Sequence, residues 1–190
     1  IFDLRGNSGG GIGCLRVMSL LCADARGVGY SLGKKQLANG AAKESLPRFG
    51  RIPTSKLQVI PLALRFATAG RAVAVFTEGL GQQSHHGRTV LLLNEHSASA
   101  TEMIAAFASE ERLAHLVGVK TPGRLVGASS FKVGSGYRVA LPVAAYFTWA
   151  GRNLEGVGVV PDTEHRISFE DLRAGRDPQL EHAVEIARQF

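Results

Sequence analysis

Sulfur and long apolar runs are both scarce in this chain. Cysteine occurs twice in 190 residues, at Cys14 and Cys22, too few for a disulfide framework. Both fall in one apolar stretch that reads as helix, spaced too widely to bridge within it, so core thiols are expected. No apolar segment approaches the ~18 residues of a membrane-spanning helix, and no membrane span is expected. The net charge of +6 is scattered, with Lys34-Lys35 its only local cluster and no aromatics interleaved, which argues against a nucleic-acid partner. No Cys/His or carboxylate spacing makes a zinc site, and neither a phosphate-binding lysine loop nor a dinucleotide fingerprint is present. No metal or organic cofactor is therefore expected. The sequence opens on Ile1-Phe2-Asp3-Leu4, without an initiator methionine and as if in mid-strand. A piece of a longer polypeptide, with one or more N-terminal domains elsewhere, is the expectation from that opening.

What is present suits a folded domain. The composition is 45% hydrophobic and 20% charged, enough to bury a core and unlike a disordered chain. Ile1 to Leu4 reads as a buried strand running into the turn Arg5-Gly6-Asn7-Ser8-Gly9-Gly10-Gly11. Ile12 to about Ala23 fits a mostly buried helix, and Val28 to Leu32 a short strand. Residues 33–56 read as a long polar surface segment, and Leu57 to Phe66 as an apolar piece broken by Pro61. Thr89 to Leu93 is a β-type run, followed by a helix from Ala100 to about Leu113 with Met103, Ile104 and Phe107 on one face. His115 to Val119 reads as a strand. Ser129 to Val133 and Tyr137 to Val143 read as a pair around Gly134-Ser135-Gly136. Tyr146 to Trp149 and Gly156 to Val160 read as further extended pieces. Ser168 to Ala174 and Pro178 to Arg188 read as helices with Ser168 and Asp177 as N-caps. The alternation predicts an α/β domain, mixed in its strand pairing.

Two segments could carry chemistry. In Asp3-Leu4-Arg5-Gly6-Asn7-Ser8-Gly9-Gly10 a strand enters a glycine-rich turn before a helix, which offers backbone N–H groups to an anion or oxyanion; taken alone, a plain structural turn explains it better. In Asn94-Glu95-His96-Ser97-Ala98-Ser99-Ala100-Thr101-Glu102 a strand ends and a helix begins, exposing a hydroxyl beside helix N-terminal N–H groups. On residues alone Ser99 and Glu102 are also a capping box, and that reading stands beside the catalytic one. Asp3 and Arg5 read as a charge pair holding the first turn, and His85-His86 as a solvated loop.

Taken together, these two segments resemble the S41 serine peptidases: the carboxyl-terminal processing (tail-specific) proteases and their tricorn-like relatives. Three further pieces agree: Val117-Gly118-Val119-Lys120-Thr121-Pro122-Gly123, Gly136-Tyr137-Arg138-Val139-Ala140-Leu141-Pro142, and Asn153-Leu154-Glu155-Gly156-Val157-Gly158-Val159 running on to Val160-Pro161-Asp162. The resemblance implies a ClpP/crotonase-like α/β core, a mixed β-sheet flanked by helices, over residues 1–165, with 166–190 a C-terminal helical extension. It implies serine endopeptidase activity on extended or unfolded polypeptide, with Ser99 as nucleophile. Backbone N–H of Ala100 and of Gly9, with Gly10 as its neighbour, would hold the oxyanion and line the substrate path. A homo-oligomer and an extracytoplasmic location are the family's further implications.

One departure matters. Processing proteases carry a lysine base in a G-K-G-x-x-Q stretch, which here reads Gly123-Arg124-Leu125-Val126-Gly127-Ala128. A guanidinium, with pKa above ~12, accepts no proton near neutrality, so Arg124 is no base. Lys120 and Lys132 would each need a register shift to replace it, and His96 is not at the family's base position. Tricorn-like relatives pair the serine with a histidine, a second serine and a late glutamate. Glu155 matches that glutamate, whereas the histidine segment precedes the D-L-R-G-N motif and so is not in this sequence. The alternative reading is a non-catalytic degenerate peptidase that binds polypeptide or another ligand; an acyl-CoA-binding crotonase would leave S-A-S-A-T-E unexplained.

Overall fold

The computed structural model describes residues 1–53 and 72–189. In chain order its elements are β1 (Phe2–Asp3), α1 (Cys14–Leu20), β2 (Gly27–Gly33), α2 (Lys34–Ala38), β3 (Arg48–Phe49), β4 (Val73–Phe76), β5 (Val90–Leu93), α3 (Ala100–Glu110), β6 (His115–Gly118), β7 (Val126–Gly134), β8 (Tyr137–Thr148), β9 (Thr163–Glu164), α4 (Phe169–Arg173) and α5 (Pro178–Arg188). They build two sheets flanked by helices, an α/β architecture as expected.

Four consecutive buried residues, Val90 to Leu93, demand cover on both faces of their strand, and the first sheet supplies it. It is parallel throughout, ordered β1-β5-β6-β9. Leu91, Leu93 and Leu116 pack into the main core with Leu15 and Met18 of α1 and Ile104 and Phe107 of α3. Val90, Leu92 and Val117 point the other way and meet Ala183 and Ile186 of α5. Each fully buried side chain of this size contributes about 1.5–3 kcal/mol. The last helix is therefore the second cover of the parallel sheet.

The second sheet is mixed, ordered β3-β4-β2-β8-β7. Val73, Val75 and Tyr146 face the main core; Leu32 and Ala74 face a smaller cluster with Leu46 and Ala72, against which Tyr30 and Phe147 pack. Those two aromatic rings stack with centroids 5.4 Å apart. Before Ala144, over residues 137–143, β8 has not reached β2 and pairs only with β7.

Four expectations are corrected. The first helix is shorter, Cys14–Leu20. Segment 33–56 is not merely surface: it holds α2, a 3-10 turn at Lys43–Ser45 and β3, and buries Leu46 and Phe49. Tyr146 to Thr148 is the end of β8 and not a separate piece. Gly156 to Val160 is no strand, because Val157 and Gly158 both donate backwards to the Leu154 carbonyl, closing a turn. The apolar piece Leu57 to Phe66 lies outside the described residues.

Candidate active site

The carboxyl ends of β1 and β5 sit side by side, so the two segments of chemical interest are neighbours. Small polar side chains sew them together. Asn94 Oδ1 accepts the Gly6 N–H at 2.9 Å, Ser97 Oγ donates to the Leu4 carbonyl at 2.9 Å, and the Asn7 carbonyl accepts both Ala98 N–H and Thr101 Oγ1–H at 3.0 Å. Ser97 and Thr101 are buried. Asn94, Ser97 and Thr101 are thus organisers of the site that pattern reading passed over; the only signal for them is the density of small polar residues where the strand ends.

Arg5 anchors the same turn from outside. It pairs with Asp3 and with Asp177, both at 2.7 Å, and donates to Gln179 Oε1 at 3.1 Å. Asp3 and Asp177 are each held below the ordinary carboxylate value, chiefly by their hydrogen bonds to Arg5, and the guanidinium is raised in turn by theirs. Asp3 and Arg5 are therefore the charge pair expected, extended to the N-cap of α5, where Asp177 accepts from the Leu180 N–H.

Ser99 stands at the elbow between β5 and α3 with φ 56° and ψ −118°. A non-glycine residue in such a conformation costs about 1–3 kcal/mol and persists only where its surroundings over-determine it. Here they do. Glu102, one turn on, is fully buried, and its Oε2 accepts the Ser99 N–H at 3.0 Å. The Glu102 N–H goes to the Ser99 carbonyl at 2.9 Å, and the Ser99 hydroxyl makes no full cap hydrogen bond. The capping relation exists, but its weight lies on Glu102.

Gly9 presses on this elbow. Its φ is +104°, and a Cβ there would fall 2.6 Å from Ser99 Cβ and 3.0 Å from Ala100 N, so only glycine fits. The Ala100 and Gly10 N–H groups have no hydrogen-bond partner among the described residues. The Gly9 N–H does: it donates to Asn7 Oδ1 at 3.0 Å. Of the two turn glycines, Gly10 is the one with a donor to spare.

The segment after β6 closes the other side. Glu102 Oε1 accepts from Thr121 Oγ1 at 2.6 Å and from Gly123 N–H at 2.7 Å, and Oε2 accepts Arg124 N–H at 2.9 Å. The next N–H, of Leu125, donates to Glu155 Oε2 at 2.5 Å, and the Gly156 N–H to the Gly123 carbonyl at 2.8 Å. Glu155 thus reaches the arm that Glu102 holds, one residue further along. No histidine or lysine among the described residues hydrogen bonds to Ser99: His96 is 72% exposed and 4.0 Å from Glu95, Lys120 is exposed, and Lys132 lies out on β7. Among the described residues no cluster could hold a metal ion.

The fold is thus an α/β domain in which a strained serine at the carboxyl end of a parallel sheet faces a glycine turn from the neighbouring strand. More particularly, the chain belongs to peptidase family S41, whose model matches residues 1–165. Over 188 residues, 95% of this chain and 17% of the relative, it is 30% identical to tricorn protease homolog 1 of Streptomyces coelicolor. It is 32% identical over 100 residues to a carboxyl-terminal-processing protease of Synechocystis, covering 51% of this chain and 23% of that one. The chain thus spans about a fifth of the length of these relatives. Among solved structures, the tricorn protease superposes with a TM-score of 0.59 at 21% identity over 97% of this chain and 14% of its own. The photosystem II D1 C-terminal processing protease gives 0.59 at 21% identity over 86% and 33%. The family resemblance carried by the five motifs is borne out.

Proposed function

We propose that this chain is the nucleophile-bearing core of a serine endopeptidase that cuts extended or unfolded polypeptide. The observation that carries the reading is the elbow: Ser99, held at positive φ, has on one side the Ala100 N–H, without a partner among the described residues, and on the other the Gly9–Gly10 turn. Ser99 Oγ attacks the peptide carbonyl, and the carbonyl oxygen takes the negative charge. The Ala100 N–H and the Gly10 N–H stabilise it, with Gly9 joining only if Asn7 releases its N–H. Each such donor is worth about 10²–10³ in rate. The serine proton passes to a base and then to the departing amine; water resolves the acyl-enzyme by the reverse route. Arg124 cannot be that base. A histidine from another part of the natural polypeptide, oriented by Glu155, fits the tricorn-like pattern. Glu155 is exposed and joined through Oε2 to the Leu125 N–H, so among the described residues its Oε1 has no hydrogen-bond partner and is open to such a partner.

Ser99→Ala tests the reading in the natural protein. Cleavage of an unfolded polypeptide should vanish while the melting temperature moves little, since losing a mere cap costs about 0.5–2 kcal/mol of stability and no chemistry. Cleavage that survives would reduce Ser99 to a cap; a natural protein that binds polypeptide without cutting it would leave the degenerate, polypeptide-binding reading, for which the arginine at the lysine position is the specific support. Glu155→Gln keeps an oxygen for Leu125 N–H but removes the charge. Turnover should fall by about 10⁴ if the carboxylate orients a histidine, with substrate binding unchanged.

A further inference from the structure

Resting on the reading of Ser99 as nucleophile, we propose that Glu102 is the positioning residue of the site, the joint that fixes the Ser99 elbow to the arm 121–125. A helix cap requires one acceptor, yet Glu102 accepts four hydrogen bonds. One comes from the Ser99 N–H; the other three come from Thr121 Oγ1, Gly123 N and Arg124 N, all in a different segment. Capping explains the first and none of the rest.

The carboxylate is fully buried, and no cationic side chain hydrogen bonds to it among the described residues. A buried charge of this kind is tolerated only when its lone pairs are satisfied, and its place in the first turn of α3 adds the favourable helix dipole. Removing the charge therefore frees donors on both walls of the site at once. The four partners are all donors, so a glutamine cannot substitute: wherever its NH₂ points, it meets N–H or O–H groups.

The consequence for the chemistry is geometric. Gly123 and Arg124 are held by Glu102, and Leu125 by Glu155. The arm is the shared member, and Glu102 sets the spacing between Ser99 and Glu155 through it. Glu102 touches no reacting atom; it acts by keeping the Ser99 elbow in its strained conformation.

The test compares Ser99→Ala, Glu102→Gln and Thr121→Val in the natural protein, by steady-state cleavage of an unfolded polypeptide and by the rate at which a fluorophosphonate probe labels Ser99. Glu102→Gln, verified as folded by circular dichroism, should lower kcat by about 10²-fold with KM unchanged, the cost of a misplacement of around an ångström. The labelling rate should fall in parallel. Thr121→Val, which removes one donor and leaves three, should lower both by about tenfold. A folded Glu102→Gln enzyme with native kcat and labelling overturns the proposal, as does a loss confined to KM. If Glu102→Gln does not fold, Thr121→Val decides: native kcat overturns, a tenfold loss in kcat alone supports. Cleavage that survives Ser99→Ala instead sinks the underlying reading, and an essential Ser99 with an indifferent Glu102 sinks only this one.

Discussion

The parallel sheet is covered on both faces and ends at the candidate site, whereas the mixed sheet runs out into a two-stranded ribbon of β7 and β8. On one face of that ribbon Phe131 lies opposite Val139 and Ser129 opposite Leu141; on the other, Lys132 lies opposite Arg138. Its apolar side chains stay in solvent: Val133 is 62% and Tyr137 73% exposed, while Leu91 and Leu92 are at 0%. Strands buried on both sides hold an elbow at fixed coordinates, which is what a residue in a strained conformation needs. A two-stranded ribbon on its own is marginal in water and can contribute little rigidity. The candidate site accordingly sits where the first sheet ends and where the arm leading into β7 is still pinned by Glu102 and Glu155.

If this contrast is right, the largest effect belongs to the parallel sheet. Leu92→Ala empties a position packed against α5 and should cost about 2–5 kcal/mol in denaturant unfolding. A loss near zero would mean that α5 is a loose appendage, and that the sheet is covered on one face only.

Next comes the join between turn and elbow. Gly9→Ala sets a Cβ 2.6 Å from Ser99 Cβ and 2.9 Å from the Ala98 carbonyl, at a φ that alanine resists. Either the turn or the elbow must move, and with it one of the N–H groups proposed to hold the oxyanion. Turnover should fall by about 10²–10³ with a much smaller change in melting temperature. Native turnover would separate the glycine turn from the chemistry.

How much of this could be read from sequence follows the same division. The elbow segments were legible because strand-to-helix transitions leave local marks: the apolar run Val90 to Leu93, the small residues after it, and the periodic face of α3. The paired strands around Gly134-Ser135-Gly136 were legible for the same reason. Segment 33–56 hid β3 because the strand is two residues long, pairs with β4 far along the chain and buries only Phe49. Gly156 to Val160 misled because Val157 and Val159 alternate like a strand while the backbone is closed on Leu154. The second role of Glu102 was invisible: its partners at 121–124 are set by the crossing of β6 beside β5, which no spacing in α3 reveals.

A smaller effect concerns the tie between the first turn and α5. Asp3 and Asp177 both lie below the ordinary carboxylate value because Arg5 hydrogen bonds to them. Folded values below unfolded ones mean that this stability is present above the ordinary value and is lost as pH falls through the depressed one. The pair is partly open to solvent, with Asp177 35% and Asp3 51% exposed, so screening limits it to about 1 kcal/mol or less. Asp177→Asn keeps a good N-cap and removes only the ion pair. The melting temperature of the variant should start slightly lower at neutral pH and fall less steeply between about pH 5 and pH 2. Parallel curves for both proteins would mean that the ion pair adds nothing beyond the cap.

The smallest effect is expected at the ribbon tip. Val133→Ser and Tyr137→Ser change side chains that solvent already reaches, and surface substitutions of this kind stay within about 0.5 kcal/mol. Cross-strand pairing is preserved, because Tyr137 pairs with Gly134 and Val133 lies at a register shift, so neither side chain has an apolar neighbour directly opposite to lose. Thermal unfolding of the two variants should therefore overlay the parent curve at every protein concentration tried. A loss well beyond that limit, growing as the protein is concentrated, would show that the apolar face of the ribbon is covered in solution. The mixed sheet would then finish its burial against another surface, as the parallel sheet does against α5, and the contrast between the two would belong to the isolated chain alone.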